Sequence, residues 1–64
     1  MRAHELRQAL LRLIDENGHT TLNGAHMVIG GRLRDIAAAL AVLITCGTVT
    51  TESQDNHLLY VRTK

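Results

Sequence analysis

Four histidines and one cysteine are the residues of this 64-residue chain best suited to holding a metal. His4, His19, His26, His57 and Cys46 include no Cys-x-x-Cys and no His-x-x-x-His pair. Those short spacings are what let neighbouring side chains share one zinc ion. His57 opens a run with strand character and is expected to be solvated. Cys46 has apolar neighbours and no adjacent cation, so it is expected to be a small packing residue rather than an activated thiol. A lone cysteine also excludes an internal disulfide and suits a reducing compartment. Gly30-Gly31 lacks the Lys-Ser/Thr that completes a phosphate-binding loop. No nucleophile–base or paired-carboxylate pattern is present. The chain is therefore expected to be no enzyme, with no metal, no cofactor and no small-molecule substrate.

What remains is charge at one helix end. Arg32 and Arg34 flank the start of the longest apolar-periodic stretch, with Asp35 beside them. Cations there are disfavoured by about 0.3–1 kcal/mol each, because a helix is positive at its N-terminus. Two arginines beside free backbone N–H groups make a phosphate or guanine contact; the alternative is a pair of solvated arginines, one bridging Asp35. Further along, Ala38, Ala41 and Val42 cannot hydrogen-bond to base edges and at best touch a thymine methyl. The same small apolar face permits close approach of a second helix. Leu11, off the stripe of its own helix, is either a lone exposed leucine or an extension of that patch. A homodimer or a protein partner is thus the competing expectation. Seven Lys+Arg against six Asp+Glu leave a net charge of +1, below that of many dedicated nucleic-acid modules.

The elements that must position these residues follow from periodicity. Leu6, Leu10, Leu13 and Ile14 share one face of a first helix, 3–16, which Asn17-Gly18 stops. His19 to Leu22 reads as a short extended segment. Asn23 is the expected N-cap of a short helix, 24–29, with Met27 and Val28 or Ile29 turned inward. Gly30-Gly31 ends it. Leu33, Ile36, Leu40, Leu43 and Ile44 form the stripe of a third helix, 32–46, with Gly47 at its C-terminal left-handed position. The period then changes: 48–52 and 57–62 are expected to pair as a hairpin across Ser53-Gln54-Asp55-Asn56. Thr20 to Leu22 is available as a third edge strand. The fold class is α+β, mostly α, in one small domain. No apolar run is long enough to span a membrane and no signal peptide pattern is present, so a cytoplasmic location is expected.

The order helix, short strand, short helix, tight turn, longer helix, Gly, hairpin resembles the winged helix-turn-helix superfamily. So does the line Ile36-Ala-Ala-Ala-Leu-Ala-Val-Leu-Ile-Thr-Cys-Gly-Thr-Val, with Leu40, Leu43, Gly47 and Val49 at the positions of its leucine-x-x-leucine, Gly and hydrophobic residue. The approach Gly30-Gly31-Arg32-Leu33-Arg34-Asp35 is also similar to winged-helix modules of phage or plasmid replication proteins. The resemblance implies that Leu33 to Cys46 is a recognition helix whose N-terminal end faces the DNA major groove. It makes Asn23 to Gly30 the preceding helix and Glu52 to His57 the wing tip. Double-stranded DNA, in transcription regulation or replication, is then the expected partner. Arg32 and Arg34 are the leading contacts, and Asn23, His26, Thr45, Arg62 and Lys64 the secondary ones. Glu52 to His57 contains two acids and no Lys or Arg, unlike a wing that grips phosphates. Winged-helix domains also serve as oligomerisation or docking modules, which is what Ala38, Ala41, Val42 and Leu11 would support.

Overall fold

Local chemistry starts and stops each helix. The computed structural model describes residues 2–63: α1 spans Ala3–Asn17, α2 Leu22–Ile29 and α3 Leu33–Thr45, followed by strands β1, Val49–Gln54, and β2, His57–Arg62. Gly18 closes α1 in the left-handed conformation and donates its N–H back to Ile14. At the end of α3, Gly47 (φ 78°) donates to the Ile44 carbonyl and Thr48 to the Leu43 carbonyl, each at 3.0 Å. These two bonds are a Schellman closure, which satisfies carbonyls that the helix leaves open.

The start of α2 differs from expectation. Thr21, not Asn23, is the N-cap: its hydroxyl accepts the Gly24 N–H at 3.0 Å. The reason lies outside the segment. Thr20 and Tyr60 exchange both backbone hydrogen bonds, at 2.9 and 2.8 Å. That bridge fixes the chain in extended form through Thr21 (φ −107°, ψ 164°), so the helix begins at Leu22 and Asn23 falls, exposed, in its first turn. The third strand expected over Thr20 to Leu22 is accordingly this single bridge.

One core joins all three helices to the hairpin. Leu10 and Ile14 of α1, Ala25 of α2, Ile36, Ala39, Leu40 and Leu43 of α3, and Val49 of β1 are buried together. Each large aliphatic side chain so buried contributes about 1.5–3 kcal/mol. Leu33 and Ile44, expected within the α3 stripe, lie on its edge at 42% and 39% exposure. Ala39 is buried instead, on the opposite side of the stripe, because the helical repeat groups it with Ile36, Leu40 and Leu43. In α2 the expectation holds for Ile29, which is half-buried against the core, and fails for Met27 and Val28. Met27 and Val28 are 85% and 69% exposed, while Ala25 is fully buried between the half-buried Leu22 and Ile29. The small Ala25 side chain lets the α2 backbone approach the core. Cys46, expected to pack, is also exposed, because the chain has already left the α3 stripe when it reaches this C-cap.

The hairpin turns more tightly than four residues. Gln54 pairs with His57, so Asp55-Asn56 alone makes the turn, with φ of 50° and 66°. Asp and Asn tolerate that left-handed conformation, which suits the twist of antiparallel strands. Ser53 and Gln54 thereby belong to β1. Only Val49 of β1 is buried, so the distal half of the hairpin projects away from the helices.

Candidate nucleic-acid interface

The N-terminal end of α3 is open. Arg32 occupies the N-cap position, and no side chain caps the helix there. Its carbonyl accepts from Asp35 at 3.1 Å and Ile36 at 3.2 Å. The N–H groups before Asp35 are those that a helix leaves without an internal acceptor. Gly30 and Gly31, at φ of 82° and 81°, swing the chain from α2 directly into this end. Arg32, Arg34 and Asp35 are all exposed. Among the described residues, the ion pair within 4 Å is Arg62 with Asp15, so neither arginine is bridged to Asp35.

The secondary contacts do not converge on that end. Asn23 is exposed in the first turn of α2. His26 is half-buried, and its Nδ1 is buried with no hydrogen-bond partner. Thr45 is exposed, but its hydroxyl already donates to the Ala41 carbonyl at 2.9 Å. Arg62 is drawn to α1, its guanidinium 3.6 Å from the Asp15 carboxylate. Lys64 lies outside the described residues. At the hairpin tip Glu52 to His57 are all exposed, and they carry no lysine or arginine.

The apolar candidates separate as well. Ala38, Ala41 and Val42 are exposed on α3, with Val42 at 42%. Leu11 does not extend their patch. It is half-buried against the core and lines a different depression, beside Arg12, Asp15 and Arg62. The reason is the packing of β2 on that flank of α1, which brings Arg62 over it.

A groove of about 590 Å3 runs between the first half of α1 and the flank of α3. Leu6, Ile29, Ala38 and Val42 line it, with Arg7, Arg32 and Asp35 among its polar residues. Arg7 has no place in the sequence-based site, yet it shares this groove with Arg32. The available signal was its position four residues after Ala3, at the edge of the α1 stripe. Among the described residues, no three His, Cys, Asp or Glu side chains come together to hold a metal ion. No helix there is long and apolar enough to cross a membrane. Comparison with protein-family models, with curated proteins and with solved structures finds no match to this chain.

Proposed function

We propose that this chain is a winged helix-turn-helix module that binds double-stranded DNA, in transcription regulation or replication, with the N-terminal end of α3 directed into the major groove. The observation that carries the reading is the pair Arg32 and Arg34. Both are exposed and free of ion pairs among the described residues, at a helix end that no side chain caps. That end offers two guanidinium groups and a positive helix terminus to phosphate. Support also comes from the element order, three helices and then a hairpin, with α2 and α3 joined by the tight Gly30-Gly31 turn. A fold hosts many functions, so the surface residues carry the argument rather than the architecture.

The binding this surface supports is led by phosphate contacts and discriminates weakly between sequences. Arg34 is the one long polar donor on the outward face of α3, with Ala37 and Ala38 one turn beyond it. The hairpin tip offers Gln54, Asn56 and His57 as neutral hydrogen-bonding groups and no cation. The test is fluorescence anisotropy of a labelled random-sequence duplex over a range of salt. Wild-type affinity should fall steeply with salt. Replacing Arg32 and Arg34 together by alanine should flatten the dependence by about two phosphate equivalents. Unchanged affinity and slope in the double variant would sink the DNA reading.

A further inference from the structure

We propose that the outward face of α3 pairs with the same face of a second copy of this chain, the two helices running antiparallel about a two-fold axis. The face is largely apolar. Leu33, Val42 and Ile44 remain 42%, 42% and 39% exposed, and Ala37, Ala38 and Ala41 lie exposed between them. The polar residues of its exposed side are Arg34, Asp35 and Thr45, and the Thr45 hydroxyl is already bonded to its own helix. In a monomer, three part-exposed aliphatic side chains on one short helix are a surface in need of cover.

Charge and symmetry select the occupant. Arg34, Ala38, Ala41 and Thr45 form one row along α3, spaced four, three and four residues apart, so the row reads the same from either end. Its midpoint falls between Ala39 and Leu40. An antiparallel copy centred there sets Ala38 against the second copy's Ala41, and Arg34 against the second copy's Thr45. The last turn of α3 carries no cation, and its carbonyls are the negative end of the helix. Arg34 stands at the positive end of its own helix and would lie over the negative end of the other. A parallel pair would instead oppose Arg34 to its own copy. The antiparallel two-fold also brings Leu33 to within about one turn of the second copy's Ile44, twice per dimer. These two edge residues of the α3 stripe would thereby flank the contact on one side and Val42 on the other. The pairing stands without the DNA reading; if that reading holds, the dimer hides Arg34, and self-association competes with duplex.

Sedimentation of the nucleic-acid-free protein from micromolar to millimolar concentration is the first arm. A concentration-dependent dimer is expected. Ala38→Glu should weaken it by at least about tenfold, and Arg34→Gln by about threefold. The second arm replaces Arg34 and Thr45 by cysteine in a Cys46→Ser chain. The two positions lie about 16 Å apart along one helix, so a disulfide between them can form only between copies. A covalent dimer is expected on oxidation, and this arm decides even if Ala38→Glu unfolds. A protein that stays monomeric throughout overturns the pairing, as does a dimer indifferent to Ala38→Glu whose cysteines fail to cross-link. A protein that binds duplex but stays monomeric to millimolar concentration overturns the pairing and keeps the DNA reading. A cross-linked dimer supports the pairing, and the DNA reading is then judged on the unaltered protein at concentrations where it is monomeric: no affinity for duplex there removes that reading and keeps the pairing.

Discussion

The Thr21 hydroxyl, 3.0 Å from the Gly24 N–H that it accepts, stands 2.9 Å from the point where a Cβ on residue 24 would sit. Cap and glycine are therefore coupled. An alanine for a helical glycine ordinarily gains about 0.8–1 kcal/mol. Here the new methyl must displace the capping hydroxyl, and a lost cap costs about 0.5–2 kcal/mol. Gly24→Ala should thus leave urea stability unchanged or lower it, whereas in a Thr21→Ala chain the same substitution should stabilise. Equal effects in the two backgrounds would refute the coupling.

The turn between α2 and α3 rests on a different glycine. Gly30 has φ 82° and ψ −163°, a region that residues with a side chain rarely occupy. Nothing lies within 4 Å of a Cβ placed there, so the cost of substitution is backbone strain alone. Gly30→Ala should cost about 1–3 kcal/mol. Asparagine should not relieve it, because the ψ is not that of the left-handed helix. At Gly18, with φ 83° and ψ −19°, asparagine should be tolerated. Thermal melts of the two asparagine variants make the comparison, and similar losses at both sites would contradict it.

In α2 the most exposed apolar side chain is expendable and the fully buried one is not. Met27→Gln removes an exposed side chain and should change stability by no more than about 0.5 kcal/mol. Ala25→Leu adds volume at a fully buried position and should cost about 1–3 kcal/mol. Chemical denaturation of both variants checks the orientation of the helix. A large loss from Met27→Gln would mean that α2 presents its other face to the core.

Arg62 should matter little to either property. Its ion pair with Asp15 is half-exposed, a class contributing about 0–1 kcal/mol. Arg62→Gln is expected to leave the melting temperature nearly unchanged and to reduce duplex affinity less than Arg34→Gln does. If the order of the two affinities is reversed, the hairpin base rather than α3 is the principal DNA contact.

The parts of the fold legible in the sequence are those that local chemistry decides. The α1 and α3 stripes repeat over three turns or more, and Gly18 and Gly47 sit where only a left-handed residue closes the helix. The chain Ser53-Gln54-Asp55-Asn56 was legible as a turn but not in its length, since all four residues tolerate one. In α2, Leu22, Ala25, Met27, Val28 and Ile29 make an eight-residue helix apolar on several sides, so period alone does not choose its inner face. Its cap depended on Thr20 pairing with Tyr60, a contact forty residues away in sequence. The exposed arginines of α3 could be placed from their own helix. The groove could not, because Leu6 and Arg7 reach it only after α1 has packed against α3.

Tyr60 is the single aromatic residue of the chain, and its backbone carries the bridge to Thr20 that ties the hairpin to the loop before α2. The molecule thus has one intrinsic fluorophore, with no tryptophan to quench or outshine it, built into the seam between its helical and β parts. Tyrosine emission from the unlabelled protein should follow the parting of that seam, separately from the helical signal in circular dichroism.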